Sequence, residues 1–134
     1  MKVQSYLFFD GKCDEALEFY KRALGAKVNT LMRFSEAPDQ SMVKPENKNK
    51  VMHSEVQIGD TVVMASDGYC NGKPGFQGFS MAIAVPTDAE AKRVFDAISD
   101  GGQVSMPLSK TFFASSFGTA SDKYGVGWMV ITES

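Results

Sequence analysis

The one histidine of the chain, His53, stands two residues before Glu55 in the segment VMHSEVQI, Val51–Ile58. This segment suits a strand, in which successive side chains point to opposite faces. Ser54, Val56 and Ile58 then share one face, and His53, Glu55 and Gln57 the other. An imidazole beside a carboxylate can act as a general base near neutral pH. It can equally supply two ligands of a metal site, or be a hydrogen-bonded sheet residue beside a solvated neighbour; the sequence leaves all three open. Other chemistries lack their residues. Cys13 and Cys70 form no CxxC pair and read as buried thiols, and a single histidine allows no zinc-finger spacing. There is no GxSxG, and Gly68, Gly72, Gly75 and Gly78 do not make a GxxxxGK[ST] phosphate loop.

A framework to hold such a pair is visible as a loose internal repeat, offset by about 75 residues. Residues 6–28, YLFFDGKCDEALEFYKRALGAKV, match residues 81–104, MAIAVPTDAEAKRVFDAISDGGQV, in order: apolar strand, acidic turn, amphipathic helix, glycine, valine. In the first helix Cys13, Ala16, Leu17, Tyr20, Ala23 and Leu24 recur at three- and four-residue intervals, and Gly25 stops it. In the second, Ala91, Val94, Phe95 and Ile98 form the stripe, Thr87 with Glu90 reads as a capping box, and Gly101 and Gly102 end it. Strands are expected over residues 3–9, 27–34, 51–58, 61–66, 79–86, 103–106, 111–121 and 127–132, with turns at Ile58-Gly59-Asp60 and Asp122-Lys123-Tyr124-Gly125. Residues 35–50 and 68–78 are left as long loops, either functional flaps or mobile connections. The expected fold is thus α+β: one domain, residues 1–134, built of βαβββ modules 1–67 and 68–134.

Alternation also divides the side chains. Val3, Leu7 and Phe9 form an apolar face for a helix, leaving Gln4, Tyr6 and Phe8 on the other side. Phe79, Met81, Ile83 and Val85 do likewise, leaving Ser80, Ala82 and Ala84. A link from Gln4 to His53 is expected if their strands adjoin.

Composition narrows the partners. Of 134 residues 43% are hydrophobic and 22% charged, with 14 basic against 16 acidic side chains and a net charge of −2. Without a basic run, nucleic acid and anionic membrane are not expected as partners. Neither a long apolar run nor the zones of a signal peptide is present, so a cytoplasmic protein is expected.

Three stretches, FDGKCDEALEFYK (residues 9–21), MHSEVQIGDTVVMASD (52–67) and TFFASSFGTASDKYGVGWMV (111–130), together with the repeat, resemble the vicinal oxygen chelate superfamily of glyoxalase I, bleomycin-resistance proteins and extradiol dioxygenases. The likeness is closer to its PhnB-like branch, sometimes labelled as resembling a demethylubiquinone methyltransferase. It implies curved mixed sheets around a cleft, and a homodimer. Phe113 stands where the resemblance leads one to expect tryptophan. The superfamily's metal positions fall at or near Gln4, Met64, Ser80 and Met129, a set without an anionic ligand and poor for a hard divalent ion. The expected function is therefore binding of an unidentified small molecule without metal or other cofactor. Tyr6, Phe8, Met64, Phe113 and Met129 would enclose the ligand, with Gln4, Ser80, His53 and Glu55 as polar handles. The alternative is a metal-dependent or acid/base enzyme, of lyase, isomerase or dioxygenase type, using His53 and Glu55.

Overall fold

The computed structural model describes residues 1–68 and 74–132, so Cys70 and Gly72 lie outside the described residues. The chain groups into two compact units, Met1–Pro74 and Gly75–Ser134. Unit one runs β1 (Tyr6–Phe8), α1 (Cys13–Leu24), β2 (Lys27–Arg33), β3 (Val51–Ile58) and β4 (Thr61–Ser66). Unit two repeats it as β5 (Met81–Ala84), α2 (Asp88–Ser99), β6 (Gln103–Ser109), β7 (Ser116–Ser121) and β8 (Gly127–Thr132). The strand orders, β1-β4-β3-β2 and β5-β8-β7-β6, are equivalent. In each sheet the first and last strands of the unit pair in parallel and the other pairs are antiparallel. The fold is α+β, two βαβββ modules with mixed sheets. Among the described residues no helix is long and apolar enough to cross a membrane.

Each helix covers one face of its own sheet. The stripe Cys13, Ala16, Leu17, Tyr20 and Ala23 is buried with Leu7, Phe9, Ser54, Val56, Val63 and Ala65, and Phe19 joins it. Full burial of a Leu- or Phe-sized side chain stabilises by about 1.5–3 kcal/mol. In the second unit Ala91, Val94, Phe95 and Ile98 are buried, as are Ala120, Trp128 and Val130. Gly118 permits this packing, because a Cβ there would lie 2.8 Å from Phe95 and 3.0 Å from the Leu108 backbone.

The helix starts are held by two different devices. Thr87 caps α2 as its sequence suggests, accepting from the Glu90 N–H at 3.2 Å. Lys12, at the corresponding place before α1, offers no side-chain cap. The missing acceptor is Asp67, just beyond β4 and 2% exposed. Its Oδ1 accepts from the N–H groups of Gly11 at 2.7 Å and Cys13 at 2.9 Å, and its Oδ2 from Val51 at 2.9 Å. A carboxylate there satisfies the orphan N–H of Cys13 in the first turn and sits at the favourable end of the helix dipole. In unit two the carboxylate comes from the helix instead, as Asp88 accepts from the hydroxyls of Ser115 and Ser116, both at 2.6 Å.

Several expectations need correction. Val3 does not pack under α1 and is 88% exposed. Extending the pairing of Tyr6 with Met64 brings Val3 opposite Thr61, at the end of β4, past the cover of the helix. Phe79 is likewise exposed, ahead of β5, with its ring 6.5 Å from that of Phe76. Residues 111–115 are not strand, because the Thr111 hydroxyl accepts from the N–H groups of Phe113 and Ala114 and bends the chain. β6 runs past Met106 to Ser109 despite Pro107, which an edge strand tolerates. Residues 35–50 hold two short 3-10 turns, Phe34–Glu36 and Pro45–Asn47. The Gln40 amide donates to the carbonyls of Phe34 and Ala37, and the Arg33 guanidinium bonds both oxygens of Asp14 and the carbonyl of Asn49.

Replacing Asp67 by Asn turns one acceptor into a donor facing buried N–H groups, and is expected to destabilise the protein by about 3 kcal/mol in chemical denaturation; a loss near zero contradicts the capping role. The serine hydroxyls, Ser115 first, hold the Asp88 carboxyl below its ordinary 3.8. A lowered folded value means stabilisation that is present above that pH and lost as the pH falls through the folded value. Asp88→Asn should therefore lower Tm near neutral pH and converge on wild type by about pH 2; a constant difference would count against it.

Candidate functional site

β4 lies between β1 and β3, and the register sets one row of residues across the sheet: Tyr6 beside Met64, Met64 beside Glu55, and Glu55 beside Thr30. Next along, Phe8 pairs with Ser66, and Met32 pairs with His53. Since Leu7, Val63, Ala65, Ser54 and Val56 are buried toward α1, alternation turns Tyr6, Phe8, Met64, His53 and Glu55 to the opposite, open face. Tyr6 is 37% exposed and Phe8 50%, while His53, Glu55 and Met64 are half-buried.

The two aromatic rings stack with centroids 4.8 Å apart and planes 9° from parallel. Phe8 is held from behind by Gly68, whose φ of 58° and lack of a side chain allow close approach; a Cβ would lie 3.0 Å from the ring. The Ser66 hydroxyl accepts from the Gly68 N–H at 2.8 Å and fixes that turn.

Across the sheet the Tyr6 hydroxyl meets Nδ1 of His53 at 2.7 Å, with the rings tilted at 56°. Partial burial pushes the Tyr6 phenol above its ordinary value of 10.0, opposed by the nearby Ser66 hydroxyl. The phenol keeps its proton at neutral pH, and according to the ring tautomer it donates to Nδ1 or accepts from an Nδ1–H. Where the phenol donates, the ring proton sits on Nε2. Among the described residues Nε2 has no hydrogen-bond partner, and neither has the Glu55 carboxylate. In that tautomer His53 presents a donor and Glu55 an acceptor on one face.

Gln4 does not take the part expected of it. It lies ahead of β1, which pairs with β4 rather than β3, and its amide nitrogen donates to the Val62 carbonyl at 3.0 Å. Tyr6 makes the link to His53 instead. Ser80, Phe113 and Met129 belong to unit two. Met129 pairs with Ala82 and is half-buried on the face away from α2. Ser80 is exposed, its hydroxyl beside Gly127. Phe113 packs edge-on against Phe112 and Phe117, at 5.2 and 5.0 Å; Phe117 is buried and Phe112 fully exposed. Asp67, Ser66 and Gly68 escaped the sequence reading, although an uncapped helix start and an Asp directly after a strand were signals for the first. Cys13 is a buried thiol; burial, then Asp67 and Asp14, push its titration up.

The metal positions can be judged by their donors. In unit one Gln4, whose Nε2 donates to Val62, offers only a neutral amide oxygen, and Met64 supplies a soft thioether. His53 has one ring nitrogen engaged by Tyr6. Among the described residues no three His, Cys, Asp or Glu side chains converge. Such a set does not suit a hard divalent ion.

The architecture is glyoxalase-like: a glyoxalase-related enzyme from Fulvimarina pelagi shares the fold at a TM-score of 0.65 and 15% identity, over 99% of this chain and 88% of its own. Residues 1–131 match the family described as 3-demethylubiquinone-9 3-methyltransferase, and the chain belongs to that family. It is 33% identical to Protein YjdN of Escherichia coli, over 97% of this chain and 94% of that protein. It is also similar to protein PA1353 from Pseudomonas aeruginosa, with a TM-score of 0.87 and 37% identity over 99% and 98% of the two chains. A third relative is the putative 3-demethylubiquinone-9 3-methyltransferase, PhnB protein, from Bacillus cereus, at a TM-score of 0.82 and 26% identity over 98% and 99%.

Because partial burial raises it, the Tyr6 phenol is expected to titrate above 10.0, followed by the ring carbon shifts in NMR. Stability tied to a raised value is full below the unfolded value and lost as pH rises through the folded one. Wild type should thus lose stability above about pH 10 more steeply than Tyr6→Phe; parallel curves contradict this.

Proposed function

We propose that the chain is a small-molecule binder of the glyoxalase/bleomycin-resistance superfamily, PhnB-like, that acts without the superfamily's usual metal, and that the open face of unit one takes part in binding. The observation that carries this is the half-exposed parallel stack of Tyr6 and Phe8 beside a polarised His53. Aromatic surface of this kind gains about 25 cal/mol per Å² on being covered, and a donor and an acceptor beside it give orientation. Ser80, Phe113 and Met129 remain candidate ligand contacts from unit two. A homodimer and a cytoplasmic setting belong to this reading on the sequence alone. The methyltransferase in the family description draws no support from α1: a helix start is the usual anchor for an anionic cofactor, and here the N–H groups of Gly11 and Cys13 are taken by Asp67.

A second reading, an acid/base enzyme of lyase or isomerase type, is favoured by the same hydrogen bond, but with roles altered from those expected. With Nδ1 accepting from Tyr6 and Nε2 protonated, His53 is a donor to a developing oxyanion rather than a base. Glu55 is then the base.

Two measurements test the proposal. Protein incubated with Mn, Co, Ni and Zn ions and desalted is expected to retain far less than one equivalent of any, unchanged by His53→Ala. One equivalent lost with His53 would overturn the metal-free reading. Naphthol, as an aromatic probe, is expected to shift the Tyr6, Phe8 and Met64 resonances and to bind about tenfold more weakly to Phe8→Ala; no perturbation of this face contradicts the binding role.

A further inference from the structure

Resting on the binding role just proposed, we infer that the ligand is an uncharged planar ring bearing a carbonyl oxygen and an N–H on one edge, a cyclic amide. The carbonyl is read by Nε2–H of His53, the N–H by the carboxylate of Glu55, and the ring extends the Tyr6–Phe8 stack.

Polarity comes from taking the Tyr6 hydroxyl as the donor in its 2.7 Å hydrogen bond to Nδ1 of His53. A neutral imidazole whose Nδ1 accepts a proton has only a donor left to offer, so the group facing it must be an acceptor. Glu55 carries the opposite requirement. Ionised, it only accepts, and among the described residues it has no ion-pair partner, because the acidic partners of the described cations are Glu15, Glu18, Asp14, Asp96 and Glu90. Its neighbours across the sheet, Thr30 and Met64, are uncharged, as is Met32 beside His53. An anionic ligand would meet an uncompensated carboxylate, whereas an N–H would be accepted by it.

Spacing makes the two requirements simultaneous. His53 and Glu55 are two residues apart on β3, so their side chains leave the sheet side by side, about 7 Å apart at Cα. Both are long enough to converge on adjacent atoms of one ring edge. The parallel rings of Tyr6 and Phe8, 9° apart, accept a third flat ring more readily than a branched aliphatic one. A planar lactam satisfies all of these; a carboxylate, a phosphate or a simple hydrocarbon ring fails at least one.

Three probes of one shape separate the contributions, titrated into the full chain and followed by NMR: carbostyril, which is a bicyclic lactam; N-methylcarbostyril, which keeps the carbonyl but loses the donor; and naphthoate, an anion. Carbostyril is expected to bind about tenfold more tightly than its N-methyl form, the size of one hydrogen bond, and naphthoate more weakly still. Glu55→Ala should abolish the preference between the lactams while Phe8 still responds to both. Tyr6→Phe, which keeps the ring stack and frees the imidazole tautomer, should reduce lactam binding without affecting naphthol. Equal binding of the two lactams, or tightest binding of naphthoate, overturns the inference. If naphthol still binds at Tyr6 and Phe8 in that case, the broader binding role stands; if no probe perturbs the face, both fall.

Discussion

The carboxylate of Asp67 ties together the parts of unit one that must be held in register. It bonds Gly11, three residues beyond Phe8 on the β1 side, and Val51, two residues before His53 at the start of β3, while itself standing at the end of β4. The two strands that carry Tyr6 and His53 are thus referenced to one buried group. Charge-assisted hydrogen bonds in a low-dielectric interior are stronger than in water, and an orphaned partner there is costly. A one-residue slip of β3 would break the Val51 bond and turn His53 and Glu55 toward α1. Unit two reaches the same junction with Thr87 and Asp88, so the repeat preserves the architecture while exchanging the groups that fasten it.

Where local pattern decides, the sequence is an adequate guide. The bounds of Val51–Ile58, Thr61–Ser66 and Gly127–Thr132 agree with expectation because tight turns bracket them, with Gly59 and Gly125 at positive φ. The stripes of both helices and the open face of β3 follow from periodicities of 3.6 and 2. Failures occur where a side chain competes with the backbone or an element ends without a punctuating residue. Thr111 looks like strand and makes a turn; Val3 alternates correctly but lies beyond the helix that would cover it.

The site was half legible. The pairing of His53 with Glu55 is a matter of spacing along one strand. Its chemistry is not, because the group that polarises His53 lies 47 residues away on a strand that does not touch β3 directly. The expectation of a general base followed from the imidazole's ordinary titration range, whereas a phenol donating to Nδ1 would turn its outward nitrogen into an N–H. Asp67 was still less visible, with bonds spanning 16, 54 and 56 residues.

The central claim is that strand register places the Tyr6 hydroxyl to donate to His53 and so fixes the face that His53 shows. Nitrogen NMR of the labelled imidazole in the full chain, at a pH where the ring is neutral, tests this directly. The account requires Nδ1 to be unprotonated and hydrogen-bonded and Nε2 to carry the proton, with the two tautomers mixing in Tyr6→Phe. A proton on Nδ1 in the wild-type protein, or a tautomer balance indifferent to the loss of the Tyr6 hydroxyl, would contradict it.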